Sequence, residues 1–435
     1  MRDYFNPISA QHSKFKGMSI NSICLWVCYA CCALSGFVPQ LILSLIVVVC
    51  VAVICSRDDA VAVWPIMIFY YSIFGTVFGI SVYRIFTILF LLARFYKNRT
   101  LKIQYRIVPS LSVYIYYLAV VVSAHSVRTM LFAFVDIICA ILLVCDHLED
   151  EDKLKKFFSS YVMAALLAFI SGLVIGNTES VMQDYGGTLL TISRFSATFE
   201  DPNYMGFFYT VAVFAIVTLK MYRPPVRMVI IVALYGVILT SMSMTAIIGN
   251  VLLWTLYLLI RGNIRLKTVA TAALVLFVAI SLYNYGLEHP KVKLIGDMSL
   301  RIQDKLNSLF LKDFDSFSTG RTSLSESHLS IFKELSIIRQ LFGGRAVNSY
   351  YIDVAHGANY SAHNEYIDML LNVGMVGWVI MYGSIGINAI KKVLLFRKKK
   401  ERTLLCGMMI NLAWLYYVAT LTVFLDFRYM FAFFI

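Results

Sequence analysis

The chain has 435 residues, of which 60% are hydrophobic and 14% charged, with a formal net charge of +13 and a mean hydropathy of +0.75. Soluble domains carry about 45–50% apolar and about 25% charged residues, so this composition excludes an ordinary cytosolic enzyme, a disordered chain and a disulfide scaffold. The apolar excess falls in runs of about 17–23 residues, the length that crosses about 30 Å of hydrocarbon as helix. It does not fall in the alternating strands of about ten residues that build an outer-membrane barrel. The expected fold is all-α, a polytopic transmembrane helical bundle of about 12–14 spans.

Residues 1–19 are polar and basic, show no cleavage site, and are read as a cytoplasmic N-terminus. Apolar spans are expected near 20–37, 39–55, 61–80, 82–97, 108–124, 127–145, 157–176, 204–220, 226–243, 245–260, 268–284, 366–390 and 403–425. Residues 20–284 then form a transmembrane bundle with short loops, 285–365 one long extracytoplasmic loop, and 366–435 the C-terminal transmembrane segments. With the N-terminus inside, the basic clusters Arg94–Arg106, Lys153–Lys156 and Lys391–Arg402 all lie in the cytoplasm, while the short outer loops keep only Arg84, Arg128 and Arg194. The positive charge is thus mostly topological, with anionic lipid as a favourable surface, and no nucleic-acid partner is expected. The nine cysteines sit in or beside apolar spans without metal-ligand spacing, as small buried hydrophobes do.

Two outer segments stand out, 177–203 and the loop 285–365. Loops of that second length carry function or structure of their own. Leu324, His328, Ile331, Leu335 and Ile338 share one helical face, as do Ile302, Leu306 and Leu309/Phe310. Such helices lie on a membrane surface or cap a cavity. His328, between Leu324 and Ile331, reads as packing.

The residues able to do chemistry lie in these segments. Arg194 is either a snorkelling anchor or an anion clamp. Asp201 and Asn203, around Pro202, suit a helix cap as well as a ligand contact. Ser318-Thr319-Gly320-Arg321-Thr322 reads as a helix start, where backbone N–H groups beside Arg321 favour an anion; a solvated charge is the plainer alternative. His363-Asn364-Glu365 marks the return of the long loop to the membrane, followed by Gly374 and Gly377. Asp136 lies within a span, where a carboxylate is costly; a pairing with Arg84 or Arg128 and a polar groove both remain open.

Taken together, Arg194, the run Phe199-Glu200-Asp201-Pro202-Asn203-Tyr204, Gly320-Arg321, Phe342-Gly343-Gly344, and His363-Asn364 with Gly374 and Gly377 resemble the bacterial O-antigen and capsular polysaccharide polymerases and the related O-antigen ligases. The motifs span residues 194–377, and the span count and late outer loop extend the likeness to most of the chain. Two positions depart from the pattern. Met244 stands where many relatives have an arginine, and His328 lies on the helix after Gly-Arg where relatives often carry an aromatic.

The resemblance implies glycosyl transfer on the outer face of the plasma membrane between sugars carried on a polyprenyl diphosphate. It implies a polymerase, with ligase as the alternative; a lipid-carrier transporter or flippase is the alternative of another class. The diphosphate leaving group calls for Arg194 and Arg321, then Arg301 and Arg345, aided by Asp201, Asn203 and Asn364. The acceptor hydroxyl calls for a base, assigned to His363 with Glu365 assisting. Neither metal nor cofactor is expected, since arginines can take the metal's electrostatic role. The partners implied are membrane lipids, the lipid-linked oligosaccharide, a flippase and a chain-length regulator of a polysaccharide export system.

Overall fold

The computed structural model describes residues 19–57, 59–97, 105, 107–119, 126–148, 150–185, 188–262, 266–290, 292–318, 321–343, 363–421, 423–424 and 426–435. The expected N-terminal arm before Ser19, together with Gly320, Gly344 and Arg345, lies outside them. The first half runs α1 (Ile20–Ala33), α2 (Gln40–Ser56), α3 (Ala60–Phe69), α4 (Tyr71–Phe74), a short ribbon β1 (Thr76–Val77) and β2 (Ile80–Ser81), α5 (Val82–Tyr96), α6 (Val108–Tyr117), α7 (Val127–His147) and α8 (Glu151–Ile175). A hairpin of β3 (Thr178–Tyr185) and β4 (Thr188–Phe195) follows. The second half is α9 (Pro202–Thr218), α10 (Pro224–Thr240), α11 (Met244–Arg261), α12 (Leu266–Glu288), α13 (Lys293–Phe310), α14 (Phe314–Ser318), α15 (Arg321–Glu334), α16 (Ile337–Phe342), α17 (Glu365–Lys399), α18 (Arg402–Tyr417) and α19 (Phe427–Phe434).

The helix ends follow local chemistry. Asp150 accepts the N–H groups of Asp152 and Lys153 to open α8, which closes on left-handed Gly176. Asp201 accepts from Asn203 N–H to open α9 with Pro202 in its first turn, and Ser243 accepts from Ala246 N–H to open α11. Side-chain caps of this kind are worth about 1 kcal/mol each.

Every expected apolar segment overlaps a helix, but the lengths differ. The segment 61–80 divides into α3 and the one-turn α4, which stops at Gly75 with φ of 59°. The segment 403–425 ends early, and a separate α19 is opened by the side chain of Asp426. Among the described residues, four helices are long and apolar enough to cross a membrane: α7 (over Val127–Cys145), α8, α11 and α17. Helices α1, α2, α3, α9 and α10 are apolar but shorter, at 10–17 residues. At 1.5 Å per residue, 17 residues reach only about 25 Å. Helix α9 is buried around nearly its whole circumference, as expected of a core helix rather than a lipid-facing one.

The segment 177–203, expected between two spans on the outer side, contains the antiparallel hairpin, with Glu179 opposite Arg194 and Val181 opposite Ile192. Its signal is Gly186-Gly187 between runs rich in threonine and β-branched residues.

Aromatic packing locks the core. Trp64 of α3 lies 5.5 Å from Phe157 of α8 and 6.1 Å from Phe431 of α19, and Phe431 lies 5.7 Å from Tyr161 of α8. Such pairs add about 0.5–1.5 kcal/mol each beyond area burial. Buried Asp136 accepts a hydrogen bond from Thr87 Oγ at 3.3 Å, and Arg84 of the same neighbouring helix attracts it electrostatically.

The described part of the segment 285–365 is mostly helical, as expected. Leu329, Ile331, Phe332 and Leu335 pack on Ile367 and Leu371 of α17. His328 is fully buried, with Nδ1 2.8 Å from the Leu324 carbonyl. Ile338 leaves the stripe, because Ser336 starts the new helix α16, and it is exposed. Helix α13 has its faces inverted relative to a water-facing helix: Ser299, Arg301, Lys305 and Ser308 are buried, whereas Leu306, Leu309 and Phe310 are exposed, Phe310 by 81%.

Candidate functional site

The polar face of α13 turns onto a cavity of about 340 Å³ lined by Arg194, Arg301, Lys305 and Arg321, with Asn203, Asn364 and Thr245 among its other walls. Each cation arrives from a different structural cause. Arg194 is the penultimate residue of β4; it is buried, and its Nε donates to the Ser241 carbonyl at 3.4 Å. Arg301 and Lys305 are four residues apart on α13 and therefore share one face. Lys305 donates through Nζ to the Ser316 carbonyl at 2.6 Å. Arg321 is the first residue of α15.

Backbone polarity adds to these charges. Met244 and Thr245 begin α11, Arg321 and Thr322 begin α15, and Asn364 caps α17 through the Tyr366 N–H. Three helix N-termini therefore open on one cavity, each carrying about half a positive charge. No carboxylate is among the described residues that line it. Burial pushes the Lys305 ammonium below its usual range; Asp304 and Asp313 oppose the shift, whereas Arg301 and Arg321 reinforce it. An anion entering the cavity reverses that repulsion.

Asn203 is tied in from below, accepting from the Ser243 hydroxyl through Oδ1 at 2.5 Å. The residues around it have structural tasks. Phe199 stacks on Phe208 at 4.8 Å. Glu200 pairs with Arg428 at 2.9 Å, and Arg428 forks onto Asp426 at 2.6 Å and lies over the Tyr71 ring at 4.6 Å. Asp201, expected as a ligand contact, is the cap of α9 and is not among the lining residues.

His363 immediately precedes Asn364 and has a left-handed φ of 47°. Solvent reaches its ring, yet the surrounding protein and the Arg321 charge hold its pKa below the ordinary value of 6.5, against the pull of Asp201 and Asp368. Glu365 is placed differently from expectation. Its buried carboxylate accepts the N–H groups of Val423 and Phe424, and its own N–H donates to the Val418 carbonyl. It ties the turn after α18 to the start of α17, a positioning task, because one residue along a helix is a rotation of about 100° away from Asn364.

The paired glycines have a physical account. Gly374 breaks the helical path of α17 with φ 69° and ψ −179°. A Cβ there would lie 2.3 Å from the Gly343 N, and one on Gly343 would lie 2.2 Å from the Asn372 carbonyl oxygen. The two backbones touch, docking α16 into the kink of α17.

Arg194, Arg301, Arg321, Asn203 and Asn364 are thus brought to one cavity; His363 is not among its described lining residues and is related to it only as the neighbour of Asn364 and through the Arg321 charge, while Asp201 and Glu365 serve the scaffold. Lys305 and the buried Ser243–Asn203 bond were not read from the sequence; the four-residue spacing of Arg301 and Lys305 was the available signal. Comparison with protein-family models and with curated proteins gives no match.

Proposed function

We propose that the chain is a multi-pass glycosyltransferase of the bacterial plasma membrane, N-terminus cytoplasmic and built as a bundle of about 12–14 spans, that joins polyprenyl-diphosphate-linked repeat units on the outer face. The observation that carries this reading is the cavity: four cations and three helix N-termini around a space with no carboxylate among its described lining residues, closed by a helix whose other face is apolar and exposed. A ligand that suits both faces has a multiply charged anionic head and a hydrocarbon tail. A lipid diphosphate meets both demands.

In the reaction, the acceptor hydroxyl oxygen bonds to the sugar C1 as the bond from C1 to the diphosphate oxygen breaks. The bonding pair leaves on the diphosphate, where Arg194, Arg301, Lys305 and Arg321 stabilise it, and the hydroxyl proton passes to His363. A neutral imidazole is required, and a depressed pKa keeps it neutral. Electrostatic stabilisation of this kind is a large term in catalysis. Lys305 supplies the cation that Met244 does not.

The test is complementation of a host deleted for this protein with His363→Ala and Arg321→Ala at matched membrane levels, the surface glycan being displayed on a gel. Single repeat units in both variants and a ladder with the wild type support the polymerase. Long chains retained on the lipid carrier assign a ligase using the same cavity. A ladder surviving both changes refutes the site.

A further inference from the structure

A second cationic cavity lies at the other end of the same helices. It has a volume of about 260 Å³ and is lined by Lys220, Arg261, Lys400 and Arg402 over an apolar floor that includes Val217, Phe396 and Leu405. Helices α9, α11 and α17 begin at the first cavity and end here, and α18 runs the opposite way, from Arg402 here to Tyr416 there. Helix α9 has 17 residues and α11 has 18, so the two cavities are separated by about 25 Å at 1.5 Å per residue. That is close to the roughly 30 Å thickness of a bilayer's hydrocarbon core. Helices α11 and α17, both long and apolar enough to cross a membrane, would thus hold one cavity at each boundary.

From this arrangement we infer that the second cavity binds the phosphate headgroup of an anionic phospholipid. Its size is slightly below the about 300–1,000 Å³ of small-molecule sites, which suits a headgroup better than a whole ligand. Its flanks suit the tails: Leu252 and Leu259 of α11 and Ile390, Leu394 and Leu395 of α17 are exposed along the helices that lead into it. The chain ends build the cluster. Lys220 and Lys400 both have left-handed φ, at 52° and 58°, just past the ends of α9 and α17, and left-handed Gly262 closes α11 after Arg261. Arg261 donates to the Tyr257 hydroxyl at 3.2 Å and Lys400 stands 5.5 Å from the Phe396 ring centroid.

The acidic groups nearby pair more closely with cations outside the cavity than with those that line it. Glu151 is 4.0 Å from Arg402 and also pairs with Lys155 at 2.7 Å, and Glu401 pairs with Lys399 at 3.6 Å. The plainer account is that cations at helix C-termini answer the helix dipoles. It explains charge at each end but not four cations around one cavity with an apolar floor.

The experiment uses the full chain purified in a neutral detergent. Binding is read by native mass spectrometry and by thermal shift with phosphatidylglycerol, phosphatidylethanolamine or inorganic phosphate as probe. The variants are Arg261→Gln/Lys400→Gln and, as an equal charge change outside the cavity, Arg397→Gln/Lys398→Gln. Each basic side chain near an anionic lipid contributes about a fivefold factor. The first pair should therefore weaken phosphatidylglycerol binding about 25-fold, with the second pair near wild type and phosphatidylethanolamine weak throughout. An Arg261→Lys/Lys400→Arg variant that keeps binding guards against loss through misfolding. Equal losses in both charge-changing pairs overturn the proposal in favour of diffuse surface charge. A response to inorganic phosphate matching that to phosphatidylglycerol overturns the lipid in favour of a soluble phosphate anion.

Discussion

Replacing Gly374 with alanine tests how α16 is fastened to α17. The backbone of Gly374 sits at φ 69°, ψ −179°, a region that is nearly glycine-only and costs other residues about 1–3 kcal/mol. The added Cβ would lie 2.3 Å from the Gly343 N and 2.5 Å from the Leu341 carbonyl carbon and oxygen. These are backbone atoms and cannot swing aside, so overpacking adds about 1–3 kcal/mol. The sum is about 2–6 kcal/mol, enough to release α16 or to lower the stability of the whole protein. Gly383 and Gly386 lie on the same helix with nothing within 4 Å of a built Cβ, and alanine there should be neutral or stabilising by up to about 1 kcal/mol. Hydrogen exchange over residues 337–343, with thermal unfolding in detergent, separates the two outcomes. Equal protection of α16 in Gly374→Ala and Gly383→Ala would refute the account of these glycines.

Ser243→Ala removes both the cap of α11 and the hydrogen bond to Asn203, and should cost about 1–3 kcal/mol in thermal unfolding; Ser243→Thr should recover part of it. Arg428→Met breaks the fork to Asp426 and the pair with Glu200, and should cost about 1–3 kcal/mol, less than a fully buried pair because Glu200 is 48% exposed; chemical denaturation measures it. His363 is held below its ordinary pKa by partial desolvation from the surrounding protein and by the Arg321 charge, so the fold favours the neutral ring. Its stabilising contribution is present above about 6.5, the unfolded value, and is lost as pH falls through the lower folded value. Arg321→Gln should raise the His363 pKa, moving the acid limb of glycosyl transfer toward higher pH, as histidine NMR and a pH–rate profile would show.

Much of the architecture was legible because periodicity and apolar length are local properties. The segments 20–37, 39–55, 127–145 and 245–260 each coincide with a helix, and the stripe through Leu324 and Ile331 foretold α15. The β3–β4 hairpin is hard to see in the sequence because threonine-rich alternation is faint beside long apolar runs, although Gly186-Gly187 marks it. At the site, Arg194 and Arg321 are marked by their local sequence, whereas Arg301 follows only from what the resemblance implies. Lys305 needed its partner on α13 to be noticed. Glu365 was drawn toward the chemistry by its neighbour His363, yet helical rotation sends its carboxylate to Val423 and Phe424. Asp201 serves Asn203 N–H as a cap, the alternative its position beside Pro202 had kept open. Contacts such as Gly343 on Gly374 join distant parts of the chain, and no single-sequence pattern reports them.

The most direct test of the central claim is equilibrium binding of a polyprenyl diphosphate to the full chain in lipid nanodiscs, comparing wild type with Arg301→Gln/Lys305→Gln. A charge-assisted hydrogen bond contributes about 1.5–3 kcal/mol, so losing two should weaken binding by at least 100-fold, while the polyprenyl alcohol, which lacks the diphosphate, should bind both proteins weakly and alike. Equal affinity of the two proteins for the diphosphate would contradict the account.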